Sequence, residues 1–436
     1  MELDLNQKEE YKETELGLLP KDWEVVRLGD VVEFNLGRTP KRAENSYWNE
    51  GKYPWVSIAD MKEFGFIYTT NEKVSQLAFD KIFNGHIVPK DTLLMSFKLT
   101  IGRTSILKID AFHNEAIISI YPKNRILKEF LFYILPIIDF SNYYDSAIKG
   151  KTLNKSKIKK LLIPLPPLSE QKKIAYILSI VQEAKEKTED VIKATKELKK
   201  SMMNHLFTYG PVSLEEAEKV PLKETEIGLM PQEWEMNTFG NVGTFQYGYT
   251  ESANKKEVGP KFLRITDINL DTNIINWATV PYCKIEEDRF AYYSLNEGDI
   301  LIARIGATTG KTCIIKNPPK SVFASYLIRF ISNRDIIDPN FLFYYTEDYK
   351  YWRQIDAGKE GKLKKGVSSS QLKKFLLPVP SLLTQKKIAS ILSAIDQKIE
   401  AEESKKKALE DLFKSLLHNL MTAKIRVNHL EKVFDE

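Results

Sequence analysis

Apolar residues recur three and four positions apart along two stretches that contain neither glycine nor proline. The first stretch runs from Ser169 to Phe207, and the second ends at Met421. This spacing is typical of an amphipathic helix with one narrow apolar stripe, so we predict two long helices. At 1.5 Å per residue the first is roughly 58 Å long. Ser169, and either Ser381 or Thr384, are the predicted N-caps.

The two stretches are copies of one another. LIPLPPLSEQKKIAYILSIVQ begins at Leu162, and LLPVPSLLTQKKIASILSAID begins 214 residues later at Leu376. Each copy opens with a short apolar run that ends in prolines, which is typical of a strand that stops just before a helix. The chain therefore contains an internal repeat, and its architecture has to be interpreted as two related halves.

A helix of this length with one apolar stripe needs a partner helix to cover the stripe. We predict that the two copies pair with each other in antiparallel fashion, since they match in length and stripe, although pairing with another chain is the alternative. The stripe of the second helix is interrupted by Glu402, Lys405 and Lys406, which predicts a looser middle. The predicted core of the pair is Ile174, Leu178, Val181, Leu198, Ile388, Leu392, Ile395 and Leu412.

The repeat extends into the segments between the helices. KETELGLLPKDWE (from Lys12) matches KETEIGLMPQEWE (from Lys223), which makes Trp23 and Trp234 equivalent, and we expect both to seal apolar corners. Short alternating runs separated by Gly, Pro, Asn and Asp are typical of strands. DTLLMSFKLTIGRTSILK and DILIARIGATTGKTCIIK are one such matching pair, in which Gly102 and Gly310 are predicted to supply hairpin bends.

These patterns predict an α+β protein in which two similar, strand-rich domains alternate with two long helices. The predicted divisions are residues 1–168 for the first domain, 169–209 for the first helix, 210–382 for the second domain, and 383–436 for the second helix and tail. The loops between the matching strands differ widely. The two domains are thus expected to share a fold and to present different surfaces.

Composition narrows the class of protein. The net charge of +5 arises from 64 basic and 59 acidic residues, which permits a nucleic-acid partner without requiring one. The two cysteines, Cys283 and Cys313, are too far apart in sequence for a zinc motif, and they fit a reducing compartment. No apolar run approaches 18 residues and the N-terminus is charged, so we expect a cytoplasmic protein with no membrane partner.

Motifs that would indicate catalysis fail on their details. GATTGKT, from Gly306 to Thr312, has three residues between its glycines where a phosphate-binding loop has four, and it leads into a strand. NPPK, from Asn317 to Lys320, lacks the aromatic residue of an amino-methyltransferase motif. The five histidines show neither metal-ligand spacing nor a nearby nucleophile. We therefore predict a non-catalytic chain without catalytic residues or metal ligands.

Basic and aromatic residues in the loops are the remaining candidates for function. Lysines cluster just before each long helix, where mobile cations suit contacts to DNA phosphates. Arginine in the divergent loops is the side chain that most often reads guanine edges. The candidate DNA-binding residues are Arg38, Lys41, Arg42, Lys98, Arg103, Lys149, Lys151 and Lys155 in the first half, and Tyr247, Lys255, Lys256, Arg304, Lys311, Lys359, Lys362 and Lys364 in the second.

Several of these segments together resemble the specificity (S) subunit of type I restriction–modification enzymes. They are the run from Gly37 to Met61 (GRTP…YW…YPWVSIADM), the run LLMSFKLTIGRTSILK, and the doubled IPLPPLSEQKKI and LPVPSLLTQKKI frames before the long helices. The resemblance covers essentially the whole chain. It implies two target-recognition domains that each read one half of a split, asymmetric DNA sequence, and a helix pair that fixes the spacing between the halves.

The resemblance also implies partners. They are double-stranded DNA, modification (methyltransferase) subunits that methylate adenine, and restriction (translocase and nuclease) subunits. S-adenosylmethionine, ATP and Mg²⁺ are then cofactors of those partners, and no cofactor is expected in this chain.

Two other functions remain as alternatives. A stand-alone DNA methyltransferase or nuclease would need a glycine-rich cofactor loop or a complete Asn-Pro-Pro-aromatic motif, which the sequence lacks. A purely structural coiled-coil adaptor would bind no DNA, and it leaves the recurrence of the lysine clusters unexplained.

Overall fold

The computed structural model describes residues 10–143, 153–269, 273–359, 366–428 and 430. Contacts group the chain into two compact units: Met1–Lys187 with Lys406–Glu436, and Thr188–Lys405. Each unit contains one globular domain and parts of both long helices. The sequence-based division at residues 168, 209 and 382 stays a prediction, because it describes the order of segments along the chain rather than their packing.

The first unit is built from short strands and short helices that lead into the first long helix. Its strands are β1 (Tyr11–Thr14), β2 (Gly17–Pro20), β3 (Glu24–Arg27), β4 (Val32–Leu36), β5 (Tyr53–Val56), β6 (Gly65–Ile67), β7 (Glu72–Val74), β8 (Leu93–Ser96), β9 (Thr104–Leu107), β10 (Phe112–His113), β11 (Ile117–Pro122) and β12 (Leu162–Leu165). Its helices are α1 (Leu28–Val31), α2 (Gln76–Lys81), α3 (Lys128–Ile134), α4 (Lys155–Lys160) and the start of the long helix α5 (Leu168–Tyr209).

A five-stranded sheet in the order β4-β11-β8-β9-β6 forms the centre of the first domain. Its strands pair in antiparallel fashion except for β9 and β6, which are parallel. A second sheet has the order β10-β5-β7, and β12 pairs with β3 just before the long helix begins. Aromatic residues of α3, among them Phe130 and Phe132, fill the core next to the large sheet.

The second unit repeats this order. Its strands are β13 (Leu222–Thr225), β14 (Gly228–Pro231), β15 (Glu235–Thr238), β16 (Gly243–Tyr247), β17 (Lys261–Leu263), β18 (Ile268–Asn269), β19 (Ile274–Ile275), β20 (Ile300–Ala303), β21 (Thr312–Ile314), β22 (Ser321–Phe323), β23 (Leu327–Ser332) and β24 (Leu376–Val379). Its helices are α6 (Leu214–Ala217), α7 (Phe239–Val242), α8 (Glu287–Tyr293), α9 (Pro339–Glu347), α10 (Tyr349–Lys359), α11 (Ser369–Leu372) and the long helix α12 (Leu382–Met421).

The central sheet of the second domain has the order β16-β23-β20-β21, which matches β4-β11-β8-β9 strand for strand. The pairs β17–β22 and β15–β24 likewise match β5–β10 and β3–β12. Trp23 and Trp234 are both buried, as the repeat predicted. The predicted α+β class, with two similar domains alternating with two long helices, is confirmed.

Each unit shows antiparallel packing of the long helices. In the first unit the start of α5 shares a buried cluster with the end of α12, represented by Leu178 and Leu417. In the second unit the end of α5 clusters with the start of α12, represented by Phe207 and Leu392. There Lys196 also contacts Glu403 at 2.7 Å. Six of the eight predicted core residues are buried or partly buried in these clusters: Ile174, Leu178, Val181, Ile388, Leu392 and Ile395.

Two of the predicted core residues need correction. Leu198 is 51% exposed and Leu412 is 47% exposed, so neither lies in a buried cluster of its unit. Nearby residues are buried instead, namely Met203 on α5 and Phe413, directly after Leu412, on α12. The reason is that each helix also packs on a globular domain, which rotates the buried face away from a simple two-helix stripe.

The helix caps also divide into one correct and one incorrect prediction. Ser381 caps α12, since its hydroxyl accepts a hydrogen bond from the Thr384 N–H at 3.3 Å. Ser169 is not a cap, because α5 already begins at Leu168. In the middle of α12, Glu402 is buried and contacts Lys398 at 2.6 Å and Lys405 at 3.6 Å, which agrees with a less apolar middle.

A fully buried glutamine ties each long helix to its domain in the same way. The Gln171 amide donates to the Arg125 carbonyl at 3.0 Å and to the Pro166 carbonyl at 2.8 Å, and its oxygen accepts from the Leu127 N–H at 2.8 Å. Gln171 thus joins the proline-ended strand, the loop before α3 and the first turn of α5.

Gln385 repeats this arrangement in the second unit. Its amide donates to Ile336 at 2.9 Å and Pro380 at 2.8 Å, and its oxygen accepts from Asp338 N–H at 2.7 Å. Both glutamines are 0% exposed. The glutamine of the repeated Gln-Lys-Lys-Ile sequence therefore has a structural role. Its side-chain amide carries two donors and one acceptor, and it is long enough to satisfy two carbonyls and one N–H at once.

A second contact between the long helices and the globular domain differs between the two units. In the first unit the Phe413 ring lies 5.2 Å from that of Phe64 and 6.1 Å from that of Tyr133. At the equivalent place in the second unit, Lys199 contacts Glu347 and Asp396, each at 2.7 Å. At this level of the helix pair the contact with the domain is thus apolar in the first unit and ionic in the second.

We predict that Gln385→Ala destabilises the second unit by about 2–4 kcal/mol, since it leaves one N–H and two carbonyls buried without partners. Urea denaturation compares its stability with that of wild type, and hydrogen–deuterium exchange of Ile336–Asp338 locates the effect. Gln397→Ala, at an exposed position of the same helix, is the control and should be neutral. Equal stability of both variants would contradict the assigned role.

Candidate nucleic-acid interface

Four segments of the first domain meet at one edge of its central sheet. The Arg38 N–H donates to the His113 carbonyl at 2.9 Å, and the Gly37 N–H donates to Ile117 at 3.2 Å. The Phe97 N–H donates to Ala116 at 2.9 Å. The Phe97 carbonyl accepts from Leu153 at 3.2 Å. We call this set the loop edge of the first domain, which comprises residues 36–39, 97–102, 113–116 and 153–155.

The second domain brings together the equivalent four segments. The Gly248 N–H donates to Leu327 at 3.2 Å, and the Tyr249 N–H donates to Phe323 at 2.8 Å. The Arg304 N–H donates to Tyr326 at 3.1 Å, and its carbonyl accepts from Val367 at 2.9 Å. The loop edge of the second domain therefore comprises residues 247–250, 304–310, 324–326 and 366–369.

Glycines explain why the same edge forms twice. A Cβ on Gly37 would lie 2.2 Å from the His113 carbonyl oxygen, and one on Gly248 would lie 2.2 Å from that of Ala324. Only glycine allows this close approach between strand end and loop. Gly102 and Gly310 adopt φ of +88° and +92° at the ends of the two hairpin turns, which confirms the predicted bends.

Side chains of the first loop edge are cationic and apolar. The Arg38 guanidinium donates to the Ile82 carbonyl at 2.7 Å, which ties the edge to the end of α2. The Lys98 ammonium lies 5.4 Å from the Phe97 ring, and that of Lys155 lies 5.9 Å from Phe34. Leu99 is 76% exposed and has a φ of +66°, an unusual conformation for a branched residue at a hairpin tip.

Side chains of the second loop edge are tyrosines grouped around an arginine. The Arg304 guanidinium carbon lies 5.0 Å from the centre of the Tyr247 ring. The Tyr247 hydroxyl accepts hydrogen bonds from the Ser369 N–H at 3.1 Å and from its hydroxyl at 3.2 Å. Tyr326 is 57% exposed beside them. Burial alone raises the pKa of Tyr247, but the hydrogen bonds from Ser369 and the charge of Arg304 lower it overall.

Other candidate residues lie away from the loop edges or already have partners. Arg42 forms a two-pronged ion pair with Glu72 and stacks on Trp48 at 4.1 Å. Arg103 donates to the Met61 carbonyl at 3.1 Å, so it fixes a loop of its own domain. Lys311 follows the hairpin turn of the second domain, and three candidates, Lys41, Lys255 and Lys256, lie in exposed loops between strands.

The remaining lysine candidates lie wholly or partly outside the described residues. Lys149, Lys151, Lys362 and Lys364 lie outside the described residues, and only the backbone of Lys359 is described, at the end of α10. Lys155 is therefore the one member of the candidate lysine clusters whose side chain the structure places at a loop edge. The assignment of the DNA-binding residues stays a prediction.

Sequence reasoning missed three residues of the loop edges, namely Leu99, Tyr326 and Ser369. Leu99 and Tyr326 are large, exposed side chains, and Ser369 positions the Tyr247 hydroxyl. Aligning the repeats gives a signal for Tyr326, because it takes the place of Ala116 in the first domain. Nothing in the sequence signals the exposed position of Leu99.

Both loop edges combine cations with exposed apolar or aromatic groups, which suits binding to phosphates and base edges.

Elsewhere in the chain, burial raises the pKa of the Cys283 thiol to about 11, which is unlike a reactive thiol. Within the described residues, no three His, Cys, Asp or Glu side chains are grouped so that they could hold a metal ion. The geometry thus favours recognition of nucleic acid.

Comparison with known proteins agrees with this geometry. A family model described as the type I restriction modification DNA specificity domain matches residues 20–195 and again residues 231–411. The chain belongs to this family. The two matches correspond to the two repeats, so the specificity-domain family accounts for both globular domains and most of both long helices.

Relatives of known name match over nearly their whole length. The type I restriction enzyme MjaVIII specificity subunit of Methanocaldococcus jannaschii is 29% identical over 444 residues, which cover 97% of each chain. The putative type I restriction enzyme MjaX specificity subunit of the same organism is 29% identical and covers 98% of this chain and 99% of its own.

A solved structure shows the same fold. The S subunit of the type I restriction–modification system from M. genitalium superimposes with a TM-score of 0.59 at 15% identity. The match covers 91% of this chain and 96% of that chain.

None of the helices in the described ranges combines the length and apolar character that crossing a membrane requires.

His113 belongs to the first loop edge and is buried, and we therefore predict that the first domain is sensitive to acid. Burial lowers the pKa of His113 to about 4, against about 6.5 in an unfolded chain. Below pH 6.5 the unfolded chain takes up a proton that the folded chain does not, so stability falls as the pH drops towards 4, by about 3 kcal/mol in all.

We predict that His113→Gln removes this part of the acid dependence. Hydrogen–deuterium exchange of Tyr53–Val56, the strand paired with β10, should show less acid opening than in wild type between pH 6.5 and 4.5. The exposed His86 provides the control His86→Gln, which should keep the wild-type dependence. Identical pH profiles for wild type and His113→Gln would refute the assignment.

Proposed function

We propose that this chain is the DNA-reading subunit of a type I restriction–modification complex, in which each loop edge reads one half of a split target. The observation that supports this is the pairing of one backbone frame with two different sets of side chains. The same four segments converge in both domains, yet the exposed side chains differ: the first edge presents Lys98 and Leu99, whereas the second presents Arg304 and Tyr326. Two unlike edges on one frame suit an asymmetric target with two unlike halves.

The helix pair is proposed to fix the spacing between the two halves of the target. Both long helices are continuous over about forty residues, and each contributes to both compact units. A helix of this length is a rigid spacer because every backbone group in its interior is hydrogen bonded. The spacing between half-sites should therefore follow the length of the pair.

The partners are proposed from the family. Modification subunits are expected to dock on the chain and to methylate adenine with S-adenosylmethionine, and restriction subunits to add ATP- and Mg²⁺-dependent translocation and cleavage. This chain would then perform none of these reactions and would act by positioning the modification subunits on DNA, inside the cell.

The first test is co-expression of the chain with a modification subunit, followed by mapping of methylated adenines on a plasmid at single-base resolution. We predict one split motif with two unlike halves and a fixed gap. The modification subunit alone is the control and should give no motif. A continuous or palindromic motif would contradict the assignment of one half-site to each domain.

The second test lengthens the helix pair. The boundary between the units crosses α5 after Lys187 and α12 after Lys405, so heptads inserted at these two places leave the contacts within each unit intact. Seven residues add roughly 10 Å, which corresponds to about three base pairs. We predict a longer gap of about that size with both half-sites unchanged.

The matched control inserts the heptad into α5 alone, which puts the two helices out of register and should abolish methylation. If the double insertion changed the bases of either half-site, or left the gap as it was, the helix pair would not set the spacing.

A further inference from the structure

We infer that Arg304 is a specificity-determining residue of the second domain, that it reads a guanine, and that Tyr247 holds it in place. This inference rests on the proposed function, since it names the base recognised by one of the two loop edges. It depends on three observations: the equivalence of Arg304 with a residue of the first domain, the way its side chain is held, and the hydrogen-bond donors that it leaves available.

Arg304 and Phe97 occupy the same structural position. The N–H of each donates to the loop before the second strand of the sheet, at Tyr326 and Ala116, and the carbonyl of each accepts from the residue that leads into the short helix, at Val367 and Leu153. The backbone is thus the same and the side chains are unlike. In the first domain Phe97 is buried, whereas Arg304 is half-buried and reaches the edge. Such a position can change what a domain reads without changing how it folds.

The Arg304 side chain is held before any ligand binds. Its guanidinium lies over the Tyr247 ring at 5.0 Å, and one of its terminal nitrogens donates to the Ser325 carbonyl at 3.3 Å. Tyr247 is in turn fixed by the two hydrogen bonds from Ser369. An arginine that is already held loses less side-chain entropy when it binds, which favours a specific contact.

The guanidinium keeps donors free for a base. Arginine has five N–H donors. Within the described residues one terminal nitrogen of Arg304 donates to Ser325, and its Nε is buried without a partner, so the donors left for a base are those of the two terminal nitrogens. Two parallel N–H groups match the O6 and N7 acceptors of guanine in the major groove, which is the commonest specific contact of arginine with DNA. A mobile lysine would serve a phosphate, but it lacks this planar fork.

Arg42 shows what a committed arginine looks like in the same protein. It also stacks on aromatic rings, at 4.1 Å from Trp48 and 4.8 Å from Trp55. Both of its terminal nitrogens, however, bond the carboxylate of Glu72. Arg42 therefore has an aromatic platform without a free fork, and it serves as the matched control.

The test is a selection from a random-sequence DNA duplex library by the full chain assembled with a modification subunit, followed by sequencing of the bound duplexes. Wild type should enrich a split motif whose second-domain half contains a guanine. Arg304→Ala should reduce the preference for guanine at that one position by about 10- to 100-fold, with the other half-site unchanged. Arg304→Lys, which keeps the charge, should relax the same position.

Two further variants sharpen the result. Tyr247→Phe keeps the ring under Arg304 and should retain the guanine preference, whereas Tyr247→Ala should weaken it. Arg42→Ala, in the first domain, should leave the guanine preference of the second half-site as it is in wild type. If Arg304→Ala fails to fold, Arg304→Lys and Tyr247→Ala decide the question.

Several outcomes would overturn the inference. They are an unchanged motif in both Arg304 variants, a uniform loss of affinity across all sequences with a smaller salt dependence, which indicates a phosphate contact, and a loss of the guanine preference of the second half-site in Arg42→Ala. Failure of the proposed function looks different, because then wild type itself enriches no split motif.

Discussion

The buried amide of one glutamine per repeat is the constraint on which the rest of the structure depends. Gln171 and Gln385 each satisfy two carbonyls and one N–H at the place where strand, loop and long helix meet. An unpaired polar group in such a place costs on the order of 1–3 kcal/mol, so this junction permits one geometry. The junction occurs once in each domain and fixes where the long helix leaves that domain. Both helices of the pair therefore start from a defined position.

Above this junction the two domains keep the same backbone and diverge in side chains. Gly37 and Gly248 allow the same close approach, and the central sheets share their strand order. Divergence is concentrated at the loop edges, where Phe97 corresponds to Arg304 and Ala116 to Tyr326. It also appears at the domain–helix contact, which is aromatic at Phe413 and ionic at Lys199. A constant frame that carries variable edges is what reading two different DNA half-sites requires.

Arginines show how far residue type alone identifies a site. Arg42, Arg103 and Arg304 were equal candidates in the sequence, because each is a cation in or near a variable loop. The structure commits Arg42 to Glu72 and Arg103 to the Met61 carbonyl, and it leaves Arg304 with available donors. Their partners are 30, 42 and 21 residues away, distances over which sequence spacing carries no information about contact.

By itself the sequence determined the internal repeat, the two long helices, the α+β class, the hairpin glycines and most of the helix-pair core. These follow from local periodicity and from residues whose backbone preferences are strong. The tertiary structure decided the rest: that Leu198 and Leu412 are exposed, that Ser169 is not a cap, and which loop residues share an edge. The physical reason is that an apolar stripe in the sequence predicts which residues of a helix face a single partner. Here each long helix packs both on the other long helix and on a globular domain, so a different set of residues is buried. Loop edges are likewise assembled by backbone hydrogen bonds between distant segments, which no local pattern records.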